Sequence, residues 1–257
     1  MILTVLDDNR QGPCPAEHGL SFLIQDDSTI LFDVGPSDII LKNAKALNID
    51  LDKVDTIVLS HGHGDHGDGL AHLSGKTLIC HPSCFQKRYR KRDSSYIGLP
   101  LTEEQARRKF KLVLSKKPYK VSGNITFLGE IPRLNDFEAK ATTFYDDKQQ
   151  DDFILDDSAI AIRSPKGLII VAGCSHAGIC NIIEHAKRVT NVKKVHAVIG
   201  GFHLREIDEV TLKTVSFFQK QVVERCFPSH CTSDMVIERF VEACGAEKLR
   251  SGDVVRF

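Results

Sequence analysis

The sequence predicts an α/β layered fold built from two similar halves. Apolar, strand-like runs alternate with helix candidates along the chain. Two segments, HGLSFLIQDDSTILFDVG and DSAIAIRSPKGLIIVAG, also share one pattern: strand, tight polar turn, strand, then a glycine that opens a loop. An internal duplication explains the match. Each hairpin is followed by a helix candidate, residues 39–47 and 179–189, and then by another apolar strand, residues 56–59 and 197–199.

Later helices are predicted over 209–224 and 233–244, the second begun by Ser233 as a cap and stopped by Gly245. Between the halves, residues 85–153 are too long for a plain connection, and substrate specificity is expected there. The first part of this stretch, with QKRYRKR and ARRKFKLVLSKK, is basic, and residues 136–157 are acidic. These are either two solvated faces that offset each other or a basic lid that attracts an anionic substrate. Arg88, Arg90 and Arg92 cannot all face one ligand on a helix, and none is assigned to substrate.

With 257 residues, 42% of them apolar, and a formal charge of zero, the chain is expected to form a single domain, 1–257, with a variable insertion at about 85–153. The charge balance argues against general nucleic-acid binding. MILTVLDDNR lacks the features of a secretion signal and no apolar run approaches a membrane span, so a cytoplasmic location is expected. The eight cysteines are read as reduced thiols.

The chemistry is concentrated in SHGHGDHGDG, residues 60–69, just beyond the buried strand TIVLS. In an extended segment His61 and His63 point the same way and can share one cation, while Asp65 and His66 at the following turn can reach a second. Imidazoles with a carboxylate suit zinc or another first-row divalent ion rather than magnesium or calcium. Other apolar runs end in GCSHAGI, GGFHL and PSHCT. His176 follows a strand and precedes a helix, which makes it the first choice for an added ligand. His203 can bind metal, orient a substrate oxygen or donate a proton. Cys174 is a thiolate ligand or a buried structural cysteine. His18 and His81 are read as structural, and His72, His185 and His196 as background in helices or loops without partners. Asp156 and Asp157 serve as base or supporting acceptors, or as turn and cap residues.

The HxHxDH motif after an apolar strand resembles the metallo-β-lactamase superfamily, and DN near the start, EHGLSFLI, LFDVG, GEIPR with a later FE, GCSHAGI, GGFHL and PSHCT extend the resemblance over nearly the whole chain. It implies a four-layer αββα sandwich whose ligand loops meet where the two halves face each other. It also implies two divalent ions, most simply zinc, with iron or manganese as alternatives, one on His61 and His63 and one on Asp65 and His66. Asp33 then supports the metal loop from behind. His230 matches the late histidine that closes the site, and Cys174 takes the place of a bridging aspartate. The branch is similar to the methanopterin-pathway dihydropterin ribofuranosyl-aminobenzene phosphate synthase, which releases diphosphate as it joins its two substrates. HGDGL departs from that branch, where a larger residue and a second glycine are common.

The expected activity is hydrolysis or transfer on a small phosphorylated or pterin-like substrate, with Asp65 positioning the nucleophile. A di-iron oxidoreductase of the same fold is the alternative, although such sites carry glutamate where His63 stands. A sensor with a structural metal would close all four positions with Cys or His.

Overall fold

The duplicated pattern folds twice into one strand plan. The computed structural model describes residues 1–257. In chain order the first half runs β1 (Ile2–Asp7), β2 (Ser21–Gln25), β3 (Thr29–Phe32), α1 (Ile39–Ala46), β4 (Thr56–Val58), α2 (Gly64–Gly67) and β5 (Thr77–Cys80). The middle adds β6 (Arg88–Arg90), α3 (Glu103–Lys109), β7 (Lys111–Leu114), β8 (Tyr119–Lys120), β9 (Ile125–Phe127) and β10 (Phe144–Asp146). The second half runs β11 (Ala159–Ser164), β12 (Gly167–Ala172), α4 (Ile179–Thr190), β13 (Val195–Gly201), α5 (Glu209–Gln221), β14 (Arg225–Ser229), α6 (Asp234–Cys244) and β15 (Val254–Arg256).

Two compact units result. The first holds Met1–Lys116, Thr142–Asp156 and Arg250–Phe257, and the second holds Lys117–Ala141 and Asp157–Leu249. In the first, the sheet order is β15-β1-β2-β3-β4-β5-β7, antiparallel through the β2–β3 hairpin and parallel from β3 onward. In the second, β14-β13-β12-β11-β9-β8 repeats the sequence of pairings, with β9, β11 and β12 antiparallel and β12, β13 and β14 parallel.

Both sheets use their apolar parity to hold helices. In the first unit Leu31, Ile57 and Leu78 pack with Ile40 and Ala44 of α1. In the second, Leu168, Ile170 and Ala172 of β12 join Ile179, Ile182, Ile183 and Ala186 of α4. β12 is buried at every position, as a strand paired inside a sheet requires. Phe202, Phe218 and Phe240 meet at ring distances of 5.2 to 5.4 Å and tie α5 and α6 to the end of β13. Truncating one such ring to alanine costs about 3–5 kcal/mol.

Several boundaries differ from expectation for local reasons. α5 stops at Gln221 because Val222 takes the left-handed conformation, φ 51°, and caps the helix. α4 runs to Thr190 and is ended by left-handed Asn191. Ser233 occupies the N-cap of α6 but its side chain makes no cap bond, while Gly245 ends that helix at φ 64° as expected. Gly178 at the start of α4 supplies no cap side chain either. Instead the buried Glu138 carboxylate accepts from the Cys180 and Asn181 amides at 2.9 and 3.0 Å, which gives the FE motif its structural part.

Residues 85–153 are not irregular. They form β6 to β10 and α3, which opens on a capping box between Thr102 and Gln105. The first basic run and the acidic run are not separate faces, because the β6–β10 pairing joins them. Lys91 meets Asp151 at 2.6 Å, Arg90 and Arg92 meet Asp93, and Arg88 is fully buried against Asp152 and Asp156. No helix is long and apolar enough to cross a membrane.

Candidate metal centre

In the first unit the metal-type residues come from one loop. β4 ends at Val58, the chain bends through Ser60, His61 and Gly62 rather than running on extended as expected, regains extended backbone at His63 (φ −93°, ψ 147°), and α2 turns it back. This sets the His61 ring 4.5 Å from His63 and 4.3 Å from His66. All three imidazoles are buried. Asp33, left-handed at φ 57° just past β3, fastens the loop. Its carboxylate accepts from the Ser60 amide and hydroxyl, each at 2.7 Å, and lies 2.7 Å from His66 Nδ1. Ser60 Oγ in turn lies 2.9 Å from His61 Nδ1. With Nδ1 engaged on both rings, Nε2 is the atom with which His61 and His66 can bind a metal.

Burial, helped by the Arg88 charge, pushes His63 down to about 3, so its imidazole is neutral and able to ligate at physiological pH. Gly62 must be glycine, because a Cβ there would fall 1.9 Å from the Cys84 carbonyl oxygen. Its amide donates to Asp156 Oδ2 at 2.8 Å. Asp156 is clasped by Arg88 through two bonds of 3.0 and 2.9 Å. Burial opposes its charge, but the guanidinium overcomes this and holds the carboxyl at about 2. Asp156 is therefore a supporting acceptor of the loop. Asp65 stands at the start of α2 with His18 Nε2 3.5 Å away, so His18 borders the loop more closely than a purely structural reading implies. Asp68, a second acid in the same motif that spacing did not single out, is raised to about 6 by burial and by the Asp65 charge.

In the second unit the corresponding residues arrive from three loops. β12, β13 and β14 are parallel and in register (Ala172 beside Gly200, Gly200 beside Pro228), so their C-terminal ends lie level. Cys174 and His176 follow β12, His203 follows β13, and His230 and Cys231 follow β14. Ser175, His203 and His230 are left-handed at φ 59°, 53° and 50°, a conformation that costs a non-glycine residue about 1–3 kcal/mol and gathers at functional loops. Cross-loop hydrogen bonds hold them there. The Gly201 amide donates to Gly173 O at 2.9 Å, Ser175 Oγ donates to Gly201 O at 2.6 Å, and the Phe202 amide donates to Thr232 Oγ1 at 2.9 Å.

Two sets of ligand atoms result, each within 4.8 Å: Cys174 with His176 and His203, and Cys174 with His230 and Cys231. Cys231 was not among the sequence candidates, although its place beside His230 in SHCT was the available signal. Burial works against its ionisation, yet contacts with Cys174 and His203 draw the thiol well below its usual range. Each unit taken by itself offers donors suited to a first-row divalent ion and unsuited to an oxygen-seeking one, imidazoles with a carboxylate in the first and imidazoles with thiols in the second.

Three of the remaining histidines, His81, His185 and His196, have structural partners. His81 caps a turn, with Nδ1 accepting from the Ser83 amide at 3.1 Å. His185 Nε2 lies 3.1 Å from Leu128 O. His196 lies within β13 with Nδ1 2.6 Å from Glu224, which corrects its reading as a helix or loop residue without a partner. Asp157 accepts from the Ala177 amide at 2.9 Å ahead of α4.

Residues 15–83 match the Metallo-beta-lactamase superfamily. Over its whole length the chain is 33% identical to the 7,8-dihydropterin-6-methyl-4-(β-D-ribofuranosyl)-aminobenzene-5'-phosphate synthase of Methanocaldococcus jannaschii, of which it covers 96%. It is 32% identical to an uncharacterized protein of the same organism over 90% of each chain. Among solved structures it matches Tm1679, described as a metal-dependent hydrolase of the β-lactamase superfamily, at a TM-score of 0.90 and 28% identity over 100% of this chain and 99% of that one. With this fold, these strand-end residues and a relative aligned from end to end, the chain belongs to the metallo-β-lactamase superfamily, in a branch similar to the aminobenzene-phosphate synthase.

Proposed function

We propose that the chain is a cytoplasmic, zinc-type enzyme that hydrolyses or transfers a small phosphorylated or pterin-like substrate through a binuclear centre. The observation that carries this reading is the buried imidazole set His61, His63 and His66, with the Nδ1 atoms of His61 and His66 held by Ser60 and Asp33. The superfamily pattern assigns His61 and His63 to one ion and Asp65 and His66 to the other, with His176, Cys174 and His230 as added ligands. Divalent ions so held supply charge that polarises a phosphoryl or carbonyl oxygen and lowers the pKa of water to about 7.

The chain's own residues do the rest. Asp33 fixes the His66 tautomer and the Ser60 backbone, so the loop needs no rearrangement when substrate arrives. Asp65, at the start of α2, orients the nucleophile: water in hydrolysis, an amine in transfer. His203 offers a hydrogen bond to a substrate oxygen. The named chemistry of the archaeal relative favours a phosphorylated aminobenzene or dihydropterin partner.

Metal analysis of protein purified without chelator or added metal, beside His61→Ala, tests the reading. About two zinc per chain, with metal and phosphoester or pterin turnover both lost in the variant, is expected. A metal-free wild type after zinc is offered, or an active His61→Ala protein, overturns it, and iron with electron-transfer activity would move it to the oxidoreductase reading.

A further inference from the structure

We infer that Cys231 is a metal ligand, and that Cys174, His230 and Cys231 form a thiolate-rich position for a borderline-soft divalent ion, zinc foremost. The inference deepens the metal-enzyme reading above and rests on it.

The first ground is distance. The ligand atoms of these residues lie within 4.8 Å of one another inside the second unit, and all come from the level ends of β12 and β14. The second is the space kept for the sulfur. Between those strands, at the end of β13, stands Gly201, and a Cβ there would fall 2.5 Å from Cys231 Sγ and 2.6 Å from Gly173 O. Its φ is not among the positive values, so the absence of a side chain serves approach rather than backbone conformation. Glycine at this point lets the Cys231 sulfur reach the Cys174 loop, where its thiol donates to Cys174 O at 3.5 Å.

The third ground is contrast with the other thiols of the unit. Cys180 and Cys226 belong to the apolar core and Cys244 packs against it, as small hydrophobic residues do. Cys174 and Cys231 stand outside that cluster among imidazoles. Cys231 is only partly buried, in contrast to Cys180 and Cys226. Binding then proceeds with balance: each thiol releases one proton to solvent as its sulfur–metal bond forms, and the contact from Cys231 to Cys174 O is given up. Two thiolates and an imidazole select zinc or cobalt(II) over magnesium, calcium or manganese. Cys174 also belongs to the set with His176 and His203, so its sulfur is where the two sets join.

Cobalt(II) titrated alone into the metal-free full chain reads this directly. The wild type is expected to develop a near-ultraviolet sulfur-to-cobalt charge-transfer band. Cys231→Ser and Cys174→Ser should each weaken it, and Cys244→Ser should leave it intact. A cobalt-loaded wild type without the band, or a band unchanged in Cys231→Ser, overturns the inference. Should the serine variants fail to fold, alkylation of the wild type by iodoacetamide answers the same question. Zinc should slow labelling of Cys231 by about tenfold or more and leave Cys244 unaffected, and equal Cys231 rates with and without zinc overturn the inference. Active, metal-loaded enzyme lacking the band fails this inference alone, whereas the band in a protein without turnover supports it and fails only the catalytic reading.

Discussion

The two units share a strand plan and differ in how they deliver their metal-type residues. In the first, one continuous loop after β4 carries His61, His63, Asp65 and His66, and its shape is set by packing behind it: Asp33, the Arg88–Asp156 pair and the bare Gly62. In the second, one or two residues come from each of three loops, and sheet register with cross-loop hydrogen bonds sets their geometry. A contiguous site is thus held by the groups beneath it, and a dispersed one by the sheet that presents it.

The sharpest break of that comparison is Arg88→Met. It leaves the Asp152 and Asp156 carboxylates buried without their cation, so urea denaturation of the metal-free protein should show a loss of about 3–5 kcal/mol. The pair also sets an acid limit. The Asp156 carboxyl is depressed in the fold, so its contribution is complete above the unfolded value of about 3.9 and disappears as pH falls through about 2. The variant should lack that part of the wild type's acid transition, and an unaltered acid limb would count against the clasp. Next in size, Asp33→Ala removes the acceptor of Ser60 and His66, and competition with a chromophoric chelator should show metal affinity about 10–100-fold weaker. Unchanged affinity would mean that the loop holds itself. The smallest effect separates backbone from side chain in the second unit. His203 is left-handed, so His203→Gly should be more stable than His203→Ala by about 1 kcal/mol in paired melts. Equal stability would show that the loop relaxes and the φ is not enforced.

The same contrast explains what the sequence disclosed. The contiguous loop could be read from local sequence, since three histidines and an aspartate within six residues need no distant partner to stand out, although the chain bends at His61 where an extended segment is expected. The hairpins were legible from apolar runs joined by polar turns, and the end of α6 from Gly245. The Arg88–Asp156 pair was not, because its partners lie 68 residues apart and become neighbours only in the folded unit. Glu138 was visible as a motif, but its work at the start of α4, 42 residues away, was not. Cys231 stands beside His230 in the sequence, but its significance depends on Gly201, which lies on a different strand. The end of α5 gave no signal at all, since a β-branched valine is among the last residues to suggest a left-handed cap.

Gly201 and Cys231 have a further consequence. A side chain at position 201 would meet both the sulfur and the backbone oxygen of Gly173, so glycine is needed there whichever residue stands at 231. Position 231 is the freer of the two, since exchanging the thiol leaves the Gly173 carbonyl in place. A family tree of this branch should therefore show glycine at 201 retained even on lineages where 231 changes.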